Sequence, residues 1–491
     1  MFIHISHKKY NVSKINITQL LSYPGKVKKM SHFRRNNISF FLFFIVSAFF
    51  HSCTSSKTDT VLYSREELKK RTFDYFWQTT DTVLFQVLDR YPTKTFSSIA
   101  ATGFGLSAYI AGIENKYISR KEGAERVRKT LDILMHLPQG PEATGVSGHQ
   151  GFFYHFLTLD EAQRFKQVEL SSIDTGLLMA GILSCMSYFD HPDDETEKKI
   201  RALADNLYRR VNWQWMMKPN GIMSMGWHPE KGFIESEWAG YNEAMVLLIM
   251  AMGSPTFPIA DDAWSKWCST YVVDTFYGQK NIQFDPLFGH QYSHVWIDFR
   301  GIRDSVMSEF NDDYFENSKK ATLSNRSYCV SNPGKWKGYH EQCWGLTACD
   351  GPAFTKKTTD GTERQFYDYK ARGACSFQIV DDGTLAPTAA GGSFPFTPVE
   401  SEACLSYMWD TFYHDLVGEF GFKDAFNLSY TDAKHPKGWF DVDYLGIDQG
   451  PILLQIENHD TELIWNIMKK NPYIIKGLQR AGFKGGWLEG K

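Results

Sequence analysis

The chain has 491 residues, 43% of them hydrophobic and 22% charged, with a formal net charge of −3. That balance is globular: it excludes a disordered or collagen-like polymer and gives no electrostatic ground for a nucleic-acid partner. Beyond the N-terminal region about 430 residues remain, enough for one large domain or two small ones.

Lys26, Lys28, Lys29, Arg34 and Arg35 precede an apolar stretch, Ile38–Phe50, which ends at His51-Ser52-Cys53. A basic region, a short hydrophobic core and a small residue before a cysteine form an export signal. The stretch falls short of the roughly 20 apolar residues that span a bilayer. It resembles a bacterial lipoprotein signal with Cys53 as the lipidated residue, and Met30 offers a compact start for it. The expected organisation is a signal region over 1–53, a tether over 54–63 and a single domain over 64–491. The protein is then exported and held in the cell envelope by a lipid anchor, its only membrane contact, as a monomer.

In chain order, Gly-, Ala- and Ser-rich apolar segments recur around Thr102–Gly112, Ile173–Leu183, Tyr241–Met252, Gln342–Cys349, Glu400–Met408 and Asp448–Ile456. Between them Arg120–Leu137, Glu195–Trp213 and Asp262–Val273 place apolar residues at i, i+3, i+4 and i+7, the spacing of one-sided helices. A helix apolar all round is buried, and one with a charged face lies outside it. Roughly six alternations of the two kinds favour an all-α fold, an α/α toroid of inner and outer helices with long cleft-forming loops. An α-solenoid is the alternative, but no fixed period appears. His149–Leu159 alternates as a short strand, and Asp382–Pro398, rich in Gly, Pro and Thr, reads as loop.

The eight cysteines include no Cys-x-x-Cys pair and no zinc-like spacing. Cys185, Cys343, Cys349 and Cys404 lie in apolar or small surroundings and read as buried free thiols. His290 and His294 stand four apart, but Gln291 takes the place of a zinc protease's Glu and the stretch does not read as a helix, so no metal is expected.

Gly226–Met245 carries the most chemistry. Glu235, Glu237 and Glu243 sit among Trp227, His228, Trp238 and Tyr241, directly before the apolar run Val246–Met252. Aromatic faces stack on pyranose rings, and carboxylates supply the proton transfers of glycosidic cleavage. The plainer reading is an acidic first helical turn over core aromatics. Asp174 and Asp448 open two other apolar helices, where an N-cap is again the plainer reading.

Gly289-His290-Gln291-Tyr292-Ser293-His294-Val295-Trp296-Ile297-Asp298-Phe299-Arg300-Gly301, Gly383–Ala390, Phe394–Pro398, Glu237–Glu243 and Gly446–Pro451 resemble the bacterial glycoamylase-like family. The similarity runs from about Leu68 to Phe483. It implies an (α/α)6 toroid and, through glycoside hydrolase family 144, an inverting endo-β-1,2-glucanase that needs no cofactor. A glucoamylase-like exo-hydrolase of α-glucans and a non-catalytic glycan-binding lipoprotein are the alternatives. On this reading Glu243 or Glu237 is the acid, Asp448 the base, and Asp174 orients water or binds a hydroxyl. Trp227, Trp238, Tyr241, Trp296 and Trp439 are stacking candidates. Glu235, His155, His228, His290, Tyr444 and Gln449 are contact candidates for an oligo- or polysaccharide. Arg300 either clamps hydroxyls or pairs with Asp298.

Overall fold

The computed structural model describes residues 61–359 and 361–491, so the signal region, Cys53 and most of the tether lie outside the described residues. Val61–Lys491 forms one compact unit. No helix among the described residues is long and apolar enough to cross a membrane.

The chain is mostly helical. In order come α1 (Arg65–Thr79), α2 (Ile99–Glu114), α3 (Arg120–His136), α4 (Ser172–Tyr188), α5 (Glu195–Arg209), α6 (Met245–Gly253), α7 (Ala263–Cys268) and α8 (Tyr292–Trp296). They are followed by α9 (Ser305–Phe310), α10 (Tyr314–Ser331), α11 (Pro387–Gly391), α12 (Pro398–Leu416), α13 (Gly446–Thr461), α14 (Leu463–Met468) and α15 (Pro472–Arg480). Composition sorts them. Every residue of α6 is buried, as is α2 from Ile99 to Ile113. In α5 the buried side chains are spaced at three and four, from Ile200 through Leu203, Ala204 and Leu207 to Tyr208. In α3 a Ser119–Glu122 capping box fixes the start and Val127, Leu131 and Leu134 face inward.

The buried helices contact one another in a closed order: α2 on α4, α4 on α6, α6 on α8, α8 on α13, and α13 back on α2, with α11 against α13. Outside them, α3 packs on α5, α5 on α4, α15 on α6, α12 on α11, and α1 on both α2 and α13. Small residues make the inner contacts close. A Cβ on Gly103 would stand 2.3 Å from the Leu177 carbonyl oxygen, and one on Gly181 would stand 2.1 Å from that of Gly103. On the other flank of α2, a Cβ on Gly450 would meet Phe104 at 2.3 Å, and one on Gly446 would meet Ala101 at 2.7 Å. Gly176 of α4 faces Leu247 of α6 in the same way, at 3.1 Å.

Four segments depart from the sequence reading. Gln342–Cys349 is buried but not helical, because Gly345 takes φ +133, a conformation outside any right-handed helix. The inner segment there is instead α11, which lies within the stretch read as loop and starts on Pro387. Glu400–Met408 belongs to α12, whose Glu402, Asp410 and His414 face outward, so it is an outer helix. Residues 287–296, read as non-helical, form a 3-10 turn and α8. Both are fully buried, which erases the amphipathic signal.

Short antiparallel strand pairs hold the connecting loops. Arg90–Tyr91 pairs with Tyr444–Leu445, Leu170–Ser171 with residues 226–227, and Phe426–Asn427 with Trp439–Phe440. The seven described cysteines are buried and free, Cys185, Cys343, Cys349 and Cys404 among them.

One ion pair anchors the longest loops. Arg372, fully buried, donates from Nε to Asp382 Oδ1 at 2.7 Å and from Nη2 to Oδ2 at 2.9 Å, and also to the Cys349 carbonyl at 2.8 Å. Arg372→Ala leaves the Asp382 carboxylate buried and uncompensated, which costs about 3–5 kcal/mol. The expected result is a lowered thermal unfolding midpoint with an unchanged fold below it. A midpoint within a degree of wild type would show that water reaches the carboxylate.

Candidate active site

Three carboxylates stand at the N-terminal ends of inner helices. Asp174 is the third residue of α4, its N–H donating to the Ser171 hydroxyl at 3.2 Å while that hydroxyl donates to its carboxylate. Asp448 is the third residue of α13. Glu243 lies in the turn before α6, tied to α8 by the Ser293 hydroxyl, which donates to its carbonyl at 2.8 Å. Helix N-termini favour negative charge. Burial opposes it here, and burial prevails.

Glu243 is 5% exposed, and its Oε2 has no hydrogen-bond partner. Burial, with the Asp174 charge adding to it, raises the carboxyl to about 7. The buried Tyr292 phenol of α8 is raised by burial first and then by both Asp448 and Glu243, so it lies close to each.

Around Asp448 the acids are crowded. Asp350, Asp424 and Asp441 each bring a carboxylate oxygen within 4.8 Å of the others. Strand pairing explains how: the Asp424 N–H donates to the Asp443 carbonyl, and the Asp441 N–H to the Ala425 carbonyl, both at 2.9 Å. The Asp350 N–H donates to Asp424 Oδ2 at 2.7 Å, whereas Asp424 Oδ1 and Asp441 Oδ2 have no hydrogen-bond partner. Burial and the neighbouring carboxylates raise Asp424, Asp441 and Asp448 together. Arg90 brings the positive charge, donating to Asp350 Oδ2 at 2.6 Å and to Asp89 Oδ2 at 3.0 Å. Among the described residues this trio is where carboxylates converge closely enough to hold a cation. A hollow of about 390 Å³, lined in part by Phe440, Asp441 and Val442, opens beside it.

His155 joins the two ends. Its Nδ1 lies 2.8 Å from Glu169 Oε1 and its Nε2 3.5 Å from Asp174 Oδ1. Burial disfavours the imidazolium, but Asp174 and Glu169 outweigh it and raise His155 to about 9.

The other sequence candidates scatter. Glu237 is held by the Asn220 amide at 3.0 and 3.1 Å and by Lys218 at 3.4 Å, and Glu235 is exposed, so neither joins the buried acids. Trp238 and Trp296 are core: their indole N–H groups donate to Ser172 at 2.8 Å and to Ser107 at 2.9 Å. Tyr241 is also buried, its ring 4.7 Å from that of His290. His290 and His294 are fully buried, and burial lowers them to about 4 and about 3. None of these five side chains presents a face to a sugar. Arg300 pairs with Asp298 through two 2.7 Å bonds, the plainer of its two readings. Tyr444 and Gln449 are buried beside Asp443 and Asp448, with the Gln449 amide donating to the Phe422 carbonyl at 2.7 Å. Trp227, His228 and Trp439 remain half-buried with open faces. Glu169, Asp89, Arg90, Asp350, Asp424, Asp441 and Tyr292 were not singled out from sequence. Of these only Tyr292, inside the Gly289–Gly301 motif, lay in a segment with a visible signal.

A buried carboxyl raised to about 7, with Tyr292 between it and a second set of carboxylates, suits proton transfer at a glycosidic oxygen. The chain is a glycoside hydrolase. Residues 235–472 match the Glycoamylase family, described as "Putative glucoamylase". A crystal structure of a "putative glucoamylase" from Bacteroides uniformis is 31% identical, with a TM-score of 0.74 over 87% of this chain and 100% of that one. The chain belongs to this family. An endo-β-1,2-glucanase from Chitinophaga pinensis, solved with sophorotriose and glucose, is 26% identical with a TM-score of 0.73, over 87% of this chain and 100% of that one. An exo β-1,2-glucooligosaccharide sophorohydrolase (non-reducing end) from Parabacteroides distasonis is 29% identical over 448 residues. The match takes in 84% of this chain and 57% of that protein's length.

Proposed function

We propose that the chain cleaves β-1,2-linked glucan internally and with inversion, inside an (α/α)6 toroid whose inner helices are α2, α4, α6, α8, α13 and α11. Glu243 is the general acid and Asp448 the general base. The observation that carries this reading is Glu243 itself, a buried carboxyl with one oxygen unpartnered and a proton held to about 7. A general acid needs that proton in place at neutral pH. Asp448, buried and crowded by Asp424 at the start of α13, suits activation of water from the other face of the sugar. Trp227 and Trp439, half-buried at the cleft loops, are the stacking surfaces. The relatives that act on β-1,2-glucans support the linkage. A lipid on Cys53 would hold the enzyme at the cell envelope.

A second reading, exo release of disaccharide, is favoured by the similarity to the sophorohydrolase over 84% of this chain. Product sizes separate the two. Linear β-1,2-glucan incubated with the protein from Ser55 onward should give a ladder of oligosaccharides, with the new reducing ends first appearing as the α-anomer by NMR. Sophorose as the only early product would establish exo action. Glucose from starch, with β-1,2-glucan untouched, would overturn the linkage.

A further inference from the structure

Glu169 has no part in the reaction as written above, and it does not touch the reacting groups. It nevertheless ends a series of contacts that reaches Asp174, whose charge acts on the general acid. The Glu169 carboxylate, 15% exposed, bonds His155 Nδ1 at 2.8 Å. The opposite ring nitrogen faces Asp174 Oδ1 at 3.5 Å, and the second Asp174 oxygen accepts from Ser171. The imidazole cannot swing away. Phe156 stacks on it with ring centroids 3.9 Å apart, and Phe96 backs Phe156 at 4.2 Å. The backbone repeats the arrangement, the His155 N–H donating to the Glu169 carbonyl at 3.0 Å.

We infer that Glu169 is a positioning residue: through His155 it fixes the orientation and charge of Asp174, and through Asp174 it holds the proton on Glu243. The inference rests on the assignment of Glu243 as the acid. The charged groups facing this series are few. Asp174 faces Glu243, and Tyr292 faces it from α8. Asp89, itself bonded to Arg90, faces His155. His228 faces Glu169 and is bonded by Arg164, which pairs with Glu230. With Glu169 ionised, His155 stays cationic, Asp174 stays anionic, and that anion beside Glu243 discourages its ionisation. With Glu169 neutral the imidazole keeps only Asp174 and Asp89 to favour its charge, its hold on the Asp174 anion weakens, and Glu243 then ionises more easily.

The test is the pH profile of kcat/KM for β-1,2-glucan in wild type, Glu169→Gln and Glu169→Asp. The glutamine variant should move the alkaline limb down by about one pH unit, a roughly tenfold loss above the limb with little change below it. The aspartate variant, which keeps the charge, should return the limb toward wild type. A profile of unchanged shape, merely lowered, would overturn the inference and leave Glu169 a structural residue. The imidazole of His155, followed by ¹⁵N NMR, gives a second reading that needs no turnover and works in any folded variant. It should titrate well above neutrality in wild type and below it in Glu169→Gln, and unaltered titration would overturn the inference. Wild-type enzyme that cleaves no β-1,2-glucan would instead defeat the function assigned above, while the imidazole titration would still decide the pairing.

Discussion

Glu243→Gln is expected to lower kcat on β-1,2-glucan about 10³-fold, within the range that a general acid contributes. The amide keeps the shape of the carboxyl and removes only its proton. Substrates whose leaving group needs no protonation should regain most of the rate, which separates loss of the acid from loss of binding. The stability change should have the opposite sign. Because the fold raises Glu243 from 4.5 to about 7, the folded chain holds that proton more tightly than the unfolded chain. Wild type therefore loses stability as pH rises from about 4.5 through 7, and the neutral amide escapes the loss. A melting temperature at pH 8 at or above wild type, joined to the collapse in kcat, is the expected pair of results. Near-normal turnover would remove Glu243 from the chemistry.

Asp448→Asn is expected to lower kcat about 10²–10³-fold with KM little changed, since a base acts on water rather than on the sugar. Azide, which needs no base, should restore product formation as a glycosyl azide of inverted configuration. Asp424→Asn provides the contrast. Asp424 adjoins Asp448, and burial together with the Asp448 charge raises it. Losing it should alter the pH dependence more than the limiting rate. Turnover of Asp448→Asn within fivefold of wild type, with Asp424→Asn the slower enzyme, would move the base to Asp424.

Much of the scaffold was legible because inner and outer helices differ in kind. Val246–Met252 is apolar on every side, whereas Glu195–Arg209 alternates, and only burial against different surroundings produces both patterns. The helix-end positions of Asp174 and Asp448, and the turn position of Glu243, followed from those boundaries. What the sequence concealed was which side each aromatic takes. Trp238 and Trp296 read as well for a sugar platform as for a core, and a hydroxyl 66 or 189 residues away decided the matter. The acid cluster was hidden for a related reason. Asp350, Asp424 and Asp441 lie in separate loops, and only strand pairing between those loops brings them together. Pro387–Gly391 escaped notice because proline, threonine and glycine signal a turn unless a neighbouring helix supplies the packing.

Two routes around the ring join α6, which follows Glu243, to α13, which carries Asp448: a short one through α8 and a longer one through α4 and α2. On the longer route a glycine faces its partner at each crossing, Gly176 on Leu247, Gly103 on Leu177 and Gly450 on Phe104. Those three seams act as a spacer without slack. Whether a glycosidase inverts or retains is a question of how far apart its two carboxyls stand. On the inverting mechanism proposed above, that spacing is held in part by the glycines at these seams. On that mechanism a side chain added at one of these glycines would change the separation of the two carboxyls without altering a loop.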